Sequence, residues 1–217
     1  MNFHVFDNIL PPEQFARVRA EFPPMDDGAW RHCRHRHSDK WAHDTLPTCL
    51  KHWLSDGMSE VISKWLGISP IYADPGLKGA GCHASTRGGF LDVHADFLYH
   101  PELKKHRAAN MIYFVHPYWN PGWGGQLELW SPDLRRCQAR LDPLPNRAVL
   151  FETSKTSFHG HPSKLRCPRG VWRQSVALYW YTDLQGDEDP KQSTDYRPLP
   201  SQWVWRLGRW GKRQCGI

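Results

Sequence analysis

No two of the six cysteines, Cys33, Cys49, Cys82, Cys137, Cys167 and Cys215, are spaced as CxxC. Scattered singly, they suit free thiols in a reducing compartment better than a disulfide framework. The opening stretch "MNFHVFDNILPPEQF" lacks both a positively charged flank and a continuous apolar run. It therefore reads as neither a signal peptide nor a membrane span, and the cytoplasm is the expected address. Internal repeats and low-complexity tracts are also missing, which excludes array architectures. At 217 residues the chain is long enough for one well-buried core, and one domain is expected over 1–217.

Charge is not in short supply. The formal net charge is +6, with part of the excess in "WRHCRHRH" and in the tail "RLGRWGKRQCGI". Such runs can attract nucleic acid or an acidic partner, but solvated surface is the expected reading. Twelve tryptophans stand in segments that read as core or pocket wall, without the interleaved basic and aromatic pattern of a strand-binding groove. Neither nucleic acid nor a membrane is expected as a partner.

Pro12 opens a helix in which Phe15, Val18 and Phe22 share a stripe. A second stripe runs from Leu50 through Trp53, Leu54, Met58, Val61, Ile62 and Trp65 to Leu66, with Gly67 as its stop and Gly57 as a break. From about residue 80 the pattern becomes short β-rich runs: "FLDVHADF", "NMIYFV", "GGQLELW", "RAVLFET" and "QSVALYWYT". Antiparallel strands at this spacing predict a closed or two-sheet β architecture with the helices on one outer face. The polar "QGDEDPKQSTD" is expected to be a mobile loop.

His94 and Asp96 stand two apart on a predicted strand and so leave the same face. A third ligand for a shared metal is offered downstream in "FETSKTSFHGHP", by His159 or His161. Two histidines and one carboxylate leave open positions on an octahedral ion, as non-haem Fe(II) oxygenases require. Arg173, fourteen residues past His159, opens a strand and would grip a distal carboxylate through two parallel hydrogen bonds.

The pieces "DPGLKGAGCH", "GGFLDVHADF", "WGGQLELW", "NRAVLFETSKTSFHGHP" and "WRQSVALYWYT" resemble the prolyl-4-hydroxylase-like branch of the Fe(II)/2-oxoglutarate-dependent dioxygenases. The resemblance runs from "FDNILPPEQF" to near the end. It implies a mostly β fold with flanking helices around a double-stranded β-helix (jelly-roll, cupin-like) core: a helical part over about 1–78, the core over about 79–183 and an extension over about 184–217. It implies His94, Asp96 and His159 on iron, His159 being favoured because the family pattern is His-Gly-x-Pro. Arg173 would hold the 2-oxoglutarate C5 carboxylate, with Ser175 completing Arg-x-Ser.

The implied reaction hydroxylates a C–H bond using Fe(II), 2-oxoglutarate and O2, with ascorbate as a candidate reductant and succinate and CO2 as products. Retention of Asp96 favours hydroxylation, since halogenating relatives have lost that carboxylate. A prolyl residue in a peptide or protein, a free amino acid or another small metabolite would be the substrate. The alternative is a non-catalytic basic binding module on the same fold.

The resemblance also brings forward further pocket positions. A co-substrate tyrosine of relatives falls on Tyr113 or Phe114, while strand alternation puts Asn110 on the face of Ile112 and Phe114 and makes it a second candidate for holding the co-substrate. His83 is expected as a polar co-substrate neighbour, Arg107 at the pocket mouth facing substrate, and His161 lining the pocket or donating to substrate. The cluster His32, Cys33, His35, His37, His43 and Cys49 matches no paired zinc-ligand spacing and is expected in a loop near the entrance. His100 and His106 are expected on a loop beside the site.

Overall fold

The computed structural model describes residues 1–186, 189–197 and 199. Trp203, Trp205 and the basic tail therefore lie outside the described residues, as does part of the polar loop. The elements in chain order are β1 (Phe3–Phe6), α1 (Pro12–Glu21), β2 (Arg31–His35), β3 (Ser38–His43), a 3-10 helix (Thr48–Leu54), α2 (Asp56–Leu66), β4 (Tyr72–Ala73), β5 (Gly81–Ser85) and β6 (Phe90–Ala95). Then come β7 (Tyr99–His100), β8 (Lys105–Phe114), a short 3-10 turn (Pro121–Trp123), β9 (Leu127–Trp130), β10 (Cys137–Leu141), β11 (Ala148–Glu152), β12 (His159–His161), β13 (Arg173–Thr182) and β14 (Asp195–Tyr196).

The strands form one curled antiparallel sheet in the order β1-β11-β8-β13-β5-β3-β6-β12-β9-β10. On the edge opposite β2, β3 pairs with β6 through Ser38 and Asp39 and with β5 through Trp41 to His43, carrying the sheet around the bend. The β11-β8-β13-β5 wall thus faces the β6-β12-β9-β10 wall, as a double-stranded β-helix requires. Phe114 from one wall packs with Leu127 and Leu129 from the other, closing one end with a buried apolar plug.

Strand alternation decides which residues enter the barrel. On β8, Met111 and Tyr113 join Val176, Leu178 and Trp180 of β13 in the outer core, against Val18 of α1, Leu50 and Trp53 of the 3-10 helix and Ile62 of α2. Their neighbours Asn110, Ile112 and Phe114 point the other way, inward. The helices accordingly cover one outer face, as their stripes predicted. The second stripe breaks at Ser55, not at Gly57: extended Ser55 caps α2, and Gly57 lies in its first turn. Gly67 closes α2 at a φ of 67°, a left-handed turn that glycine enters without steric cost.

The segment 1–78 is not simply helical. β1 pairs with β11, and the β2–β3 hairpin is built into the sheet. Neither was expected, because polar and histidine-rich strands such as "RHCRH" and "SDKWAH" lack an apolar alternation. Part of the polar loop is also ordered: Asp195 and Tyr196 pair with Ala95 and His94.

Candidate metal centre and co-substrate pocket

β6 and β12 run antiparallel with His94 directly opposite His159. Their approach is so close that a Cβ on Gly160 would come within 2.8 Å of the carbonyl oxygens of Leu91 and Asp92, so only glycine fits between the two histidines of "HGH". Each imidazole is fixed by its own strand. His94 Nδ1 bonds to the Asp92 carbonyl at 2.9 Å and His159 Nδ1 to the Ser157 carbonyl at 3.0 Å. With Nδ1 donating in both rings, the two Nε2 atoms keep free lone pairs. They point at Asp96: Nε2 of His94 lies 3.5 Å from Oδ1, and Nε2 of His159 lies 3.7 Å from Oδ2.

One ligand atom from each of His94, Asp96 and His159 falls within 4.8 Å of the others, and all three residues are buried. Backbone-fixed imidazoles beside one carboxylate fit a divalent first-row metal, and three ligands on one side leave positions open for further donors. Burial, and next the neighbouring His94, pull the His159 pKa down to about 4, so that the ring is neutral and able to ligate at neutral pH. Burial works to raise the Asp96 pKa, but the Arg107 guanidinium and the two histidines overcome it and hold the carboxyl well below its usual range.

Arg107 is fully buried and does not stand at a pocket mouth. A bulge in the β8–β13 pairing sends Ala108 and Ala109 outward and turns Arg107 in behind the metal carboxylate. Its Nη1 lies 3.0 Å from Asp96 Oδ2, and its guanidinium carbon sits 3.9 Å and 3.8 Å from the ring centroids of Phe97 and Tyr179. The guanidinium nitrogens make no aligned hydrogen bond, so the contact with Asp96 is chiefly electrostatic. Asn110 Nδ2 donates to the same Oδ2 at 3.1 Å, which places Asn110 on the carboxylate.

Across the pocket, Arg173 Nε donates to the Gly125 carbonyl at 2.8 Å, and its guanidinium lies 4.8 Å from the Phe114 ring centroid. Among the described residues neither Nη group has a protein acceptor, and the bond from Nε orients the fork in the pocket wall. A Cβ on Gly125 would come within 3.0 Å of the Arg173 side chain and 2.7 Å of Leu165, so the glycine at a φ of 81° leaves room for the arginine. Burial draws the Arg173 pKa down to about 9, which still leaves the group charged at neutral pH. Ser175, two residues along β13, lines the same cavity with Asn110, His83 and His161.

Tyr113 does not reach this cavity. Its hydroxyl donates to Asn146 Oδ1 at 2.9 Å in the outer core, and the inward position belongs to Phe114. Apart from Cys49, which is in the 3-10 helix, the histidine-rich cluster lies on the β2–β3 hairpin, not in a loop. There His32 meets Asp39 at 2.8 Å, His37 meets Asp92 at 2.9 Å and His43 meets Asp27 at 3.4 Å. Each is spoken for by its own carboxylate, and among the described residues the only metal-compatible set is the one formed by His94, Asp96 and His159. His100 is buried 3.3 Å from Asp74, and His106 lies in β8 opposite Tyr99.

Sequence reasoning missed Lys40, Leu127 and Tyr179, all of which line the pocket. Lys40 comes from the unexpected hairpin. Tyr179 could have been found by counting in twos along β13 from Arg173 through Ser175 and Ala177.

Residues 80–182 match the family described as the 2OG-Fe(II) oxygenase superfamily. No curated protein matches the chain significantly. Among solved structures, a prolyl-4-hydroxylase of Pseudomonas putida is similar at a TM-score of 0.59 and 17% identity, over 84% of this chain and 92% of that one. A prolyl hydroxylase of Trichoplax adhaerens, in complex with a hypoxia inducible factor peptide fragment, is similar at 0.59 and 18%, over 82% and 83%. HygX of Streptomyces hygroscopicus, with nickel and 2-oxoglutarate bound, is similar at 0.55 and 12%, over 90% and 92%. With a histidine pair, a single carboxylate and a facing arginine gathered within those residues, segment 80–182 is a 2OG-Fe(II) oxygenase domain, and the protein is a 2-oxoglutarate-dependent dioxygenase that takes Fe(II) and 2-oxoglutarate.

Proposed function

We propose that this dioxygenase is a hydroxylase acting on a C–H bond of a peptidyl proline, a free amino acid or another small metabolite. The observation that carries the reading is the single buried pocket in which His94, Asp96 and His159 face the unpaired fork of Arg173. Iron held by the triad supplies the oxygen chemistry that couples decarboxylation of 2-oxoglutarate to substrate oxidation. The chain's own residues supply position and charge. Arg173 and Ser175 hold the far carboxylate of the co-substrate, and Asn110 and Arg107 keep Asp96 ionised and turned toward the metal. Retention of the carboxylate Asp96 as a ligand supports hydroxylation rather than halogenation.

Peptide and small-molecule substrates both stay in view, because the similar structures include one with a bound peptide fragment and one, HygX, with hygromycin B. The intact ligand set speaks against a non-catalytic binding module. The test is succinate formation from 2-oxoglutarate with Fe(II), first without substrate and then with free amino acids, proline-containing peptides and cell-extract fractions, followed by mass spectrometry for the gain of one oxygen. Absence of succinate under all conditions, together with failure to bind 2-oxoglutarate, would refute the reading.

A further inference from the structure

Lys40 is a second cation in the pocket, and among the described residues no carboxylate pairs with it. It stands on β3 next to Trp41, which is opposite Ala84, and is therefore level with Ser85, itself opposite Arg173. Two strand spacings separate the Lys40 and Arg173 backbones, about 10 Å. Their heads can thus serve two anions.

Lys40 Nζ is 3.2 Å from Nδ1 of His83. His83 is therefore a neutral post that accepts from the ammonium and steers it. Burial, reinforced by Lys40, keeps the His83 pKa well below its usual value. On the facing wall His161 is buried, and its Nδ1 has no hydrogen-bond partner. A buried ring nitrogen with no partner is costly unless something completes it.

Charge balance points the same way. The only carboxylate lining the pocket is Asp96, and Arg107 answers it at 3.0 Å. A metal dication and a 2-oxoglutarate dianion cancel. Arg173 and Lys40 are left, two buried or half-buried cations whose desolvation only an anion can offset.

We propose that Lys40 and His161, with His83 holding the ammonium in place, form a subsite for an oxyanion of the substrate, so that the molecule hydroxylated carries a carboxylate or phosphate near the oxidised carbon. This deepens the hydroxylase reading and rests on it.

The test is calorimetric titration of the full chain, loaded with Zn(II) and saturating 2-oxoglutarate, with two matched pairs: L-glutamate against L-glutamine, and O-phospho-L-serine against L-serine. The expected result is that the acidic member of at least one pair binds about tenfold tighter or more, the scale of one charge-assisted hydrogen bond. Which pair responds distinguishes carboxylate from phosphate. Lys40→Met should erase the preference and Lys40→Arg should keep part of it, with 2-oxoglutarate affinity held in both.

No acidic preference in either pair of the unmutated chain, including no binding by any of the four probes, overturns the subsite. This arm does not depend on how a variant folds. So does a Lys40→Met variant that loses 2-oxoglutarate in parallel, because Lys40 then belongs to the co-substrate. An acidic preference in a chain that forms no succinate with Fe(II) sustains the subsite and overturns the oxygenase reading alone.

Discussion

Replacing Arg107 with methionine removes the charge behind Asp96 while keeping much of the apolar stem. In the metal-free protein the Asp96 carboxylate then stays buried without its main counter-charge. Breaking one side of a buried pair costs about 3 to 5 kcal/mol, or roughly 6 to 20 °C in melting temperature for a chain of this size. Relief of burying guanidinium nitrogens that make no aligned hydrogen bond works against this loss and favours the lower end. With a divalent metal bound, the ion itself compensates the carboxylate, so the loaded protein should lose less. By linkage that difference is a gain in metal affinity, expected to be at least about 1.4 kcal/mol, or about tenfold. Thermal melts of chelator-treated and Zn(II)-loaded protein, with a Zn(II) titration, measure both quantities, and Arg107→Lys should fall between. Equal shifts in both forms, or weaker metal binding in the variant, would refute the idea that Arg107 and the metal share the charge of Asp96.

Three further outcomes follow from the same geometry. Arg173→Ala should weaken 2-oxoglutarate binding by about 2 to 5 kcal/mol, roughly 30-fold to several-thousand-fold, while metal stays bound, and Arg173→Lys should recover only part of the loss; titration of 2-oxoglutarate into the Zn(II) form checks this. His159→Ala should lose the metal, whereas His161→Ala should retain it, because only His159 has Nε2 directed at Asp96; metal stoichiometry and the visible band of the anaerobic Fe(II)·2-oxoglutarate complex distinguish them. His116, which does not line the pocket, donates from Nε2 to the Pro143 carbonyl at 2.6 Å and accepts from the Gln174 amide at 3.2 Å, and burial lowers its pKa to about 4. Because the unfolded chain binds this proton more readily, His116 should subtract up to about 3 kcal/mol of stability as pH falls from about 6.5 to about 4, and His116→Gln should flatten that part of a denaturation-versus-pH profile.

The jelly-roll was legible in the sequence because its central strands alternate. "NMIYFV" and "QSVALYWYT" send apolar residues to both faces, and counting in twos from Asn110 or Arg173 finds the residues that enter the barrel. The same count excludes Tyr113, so that error came from the resemblance and not from the alternation. The His94–Asp96 spacing was enough to suggest a metal, since two residues apart on a strand guarantees a shared face. That guarantee is local.

What brings His159 opposite His94 is strand pairing across 65 residues of chain, and it depends on Gly160 letting two backbones approach within a distance no Cβ allows. The place of Arg107 was likewise beyond sequence reasoning, because one bulge in the β8–β13 ladder reverses the face of every residue before it. Lys40 was hidden for a third reason: a polar hairpin has no apolar period to announce it, and only its insertion between β5 and β6 turns a surface-like lysine into a pocket cation. The sequence by itself determined the strand faces, the ligand types and the fork-bearing arginine, all consequences of backbone period and side-chain chemistry. Tertiary structure alone decided which charges oppose one another, because that depends on register and burial between segments distant in the chain.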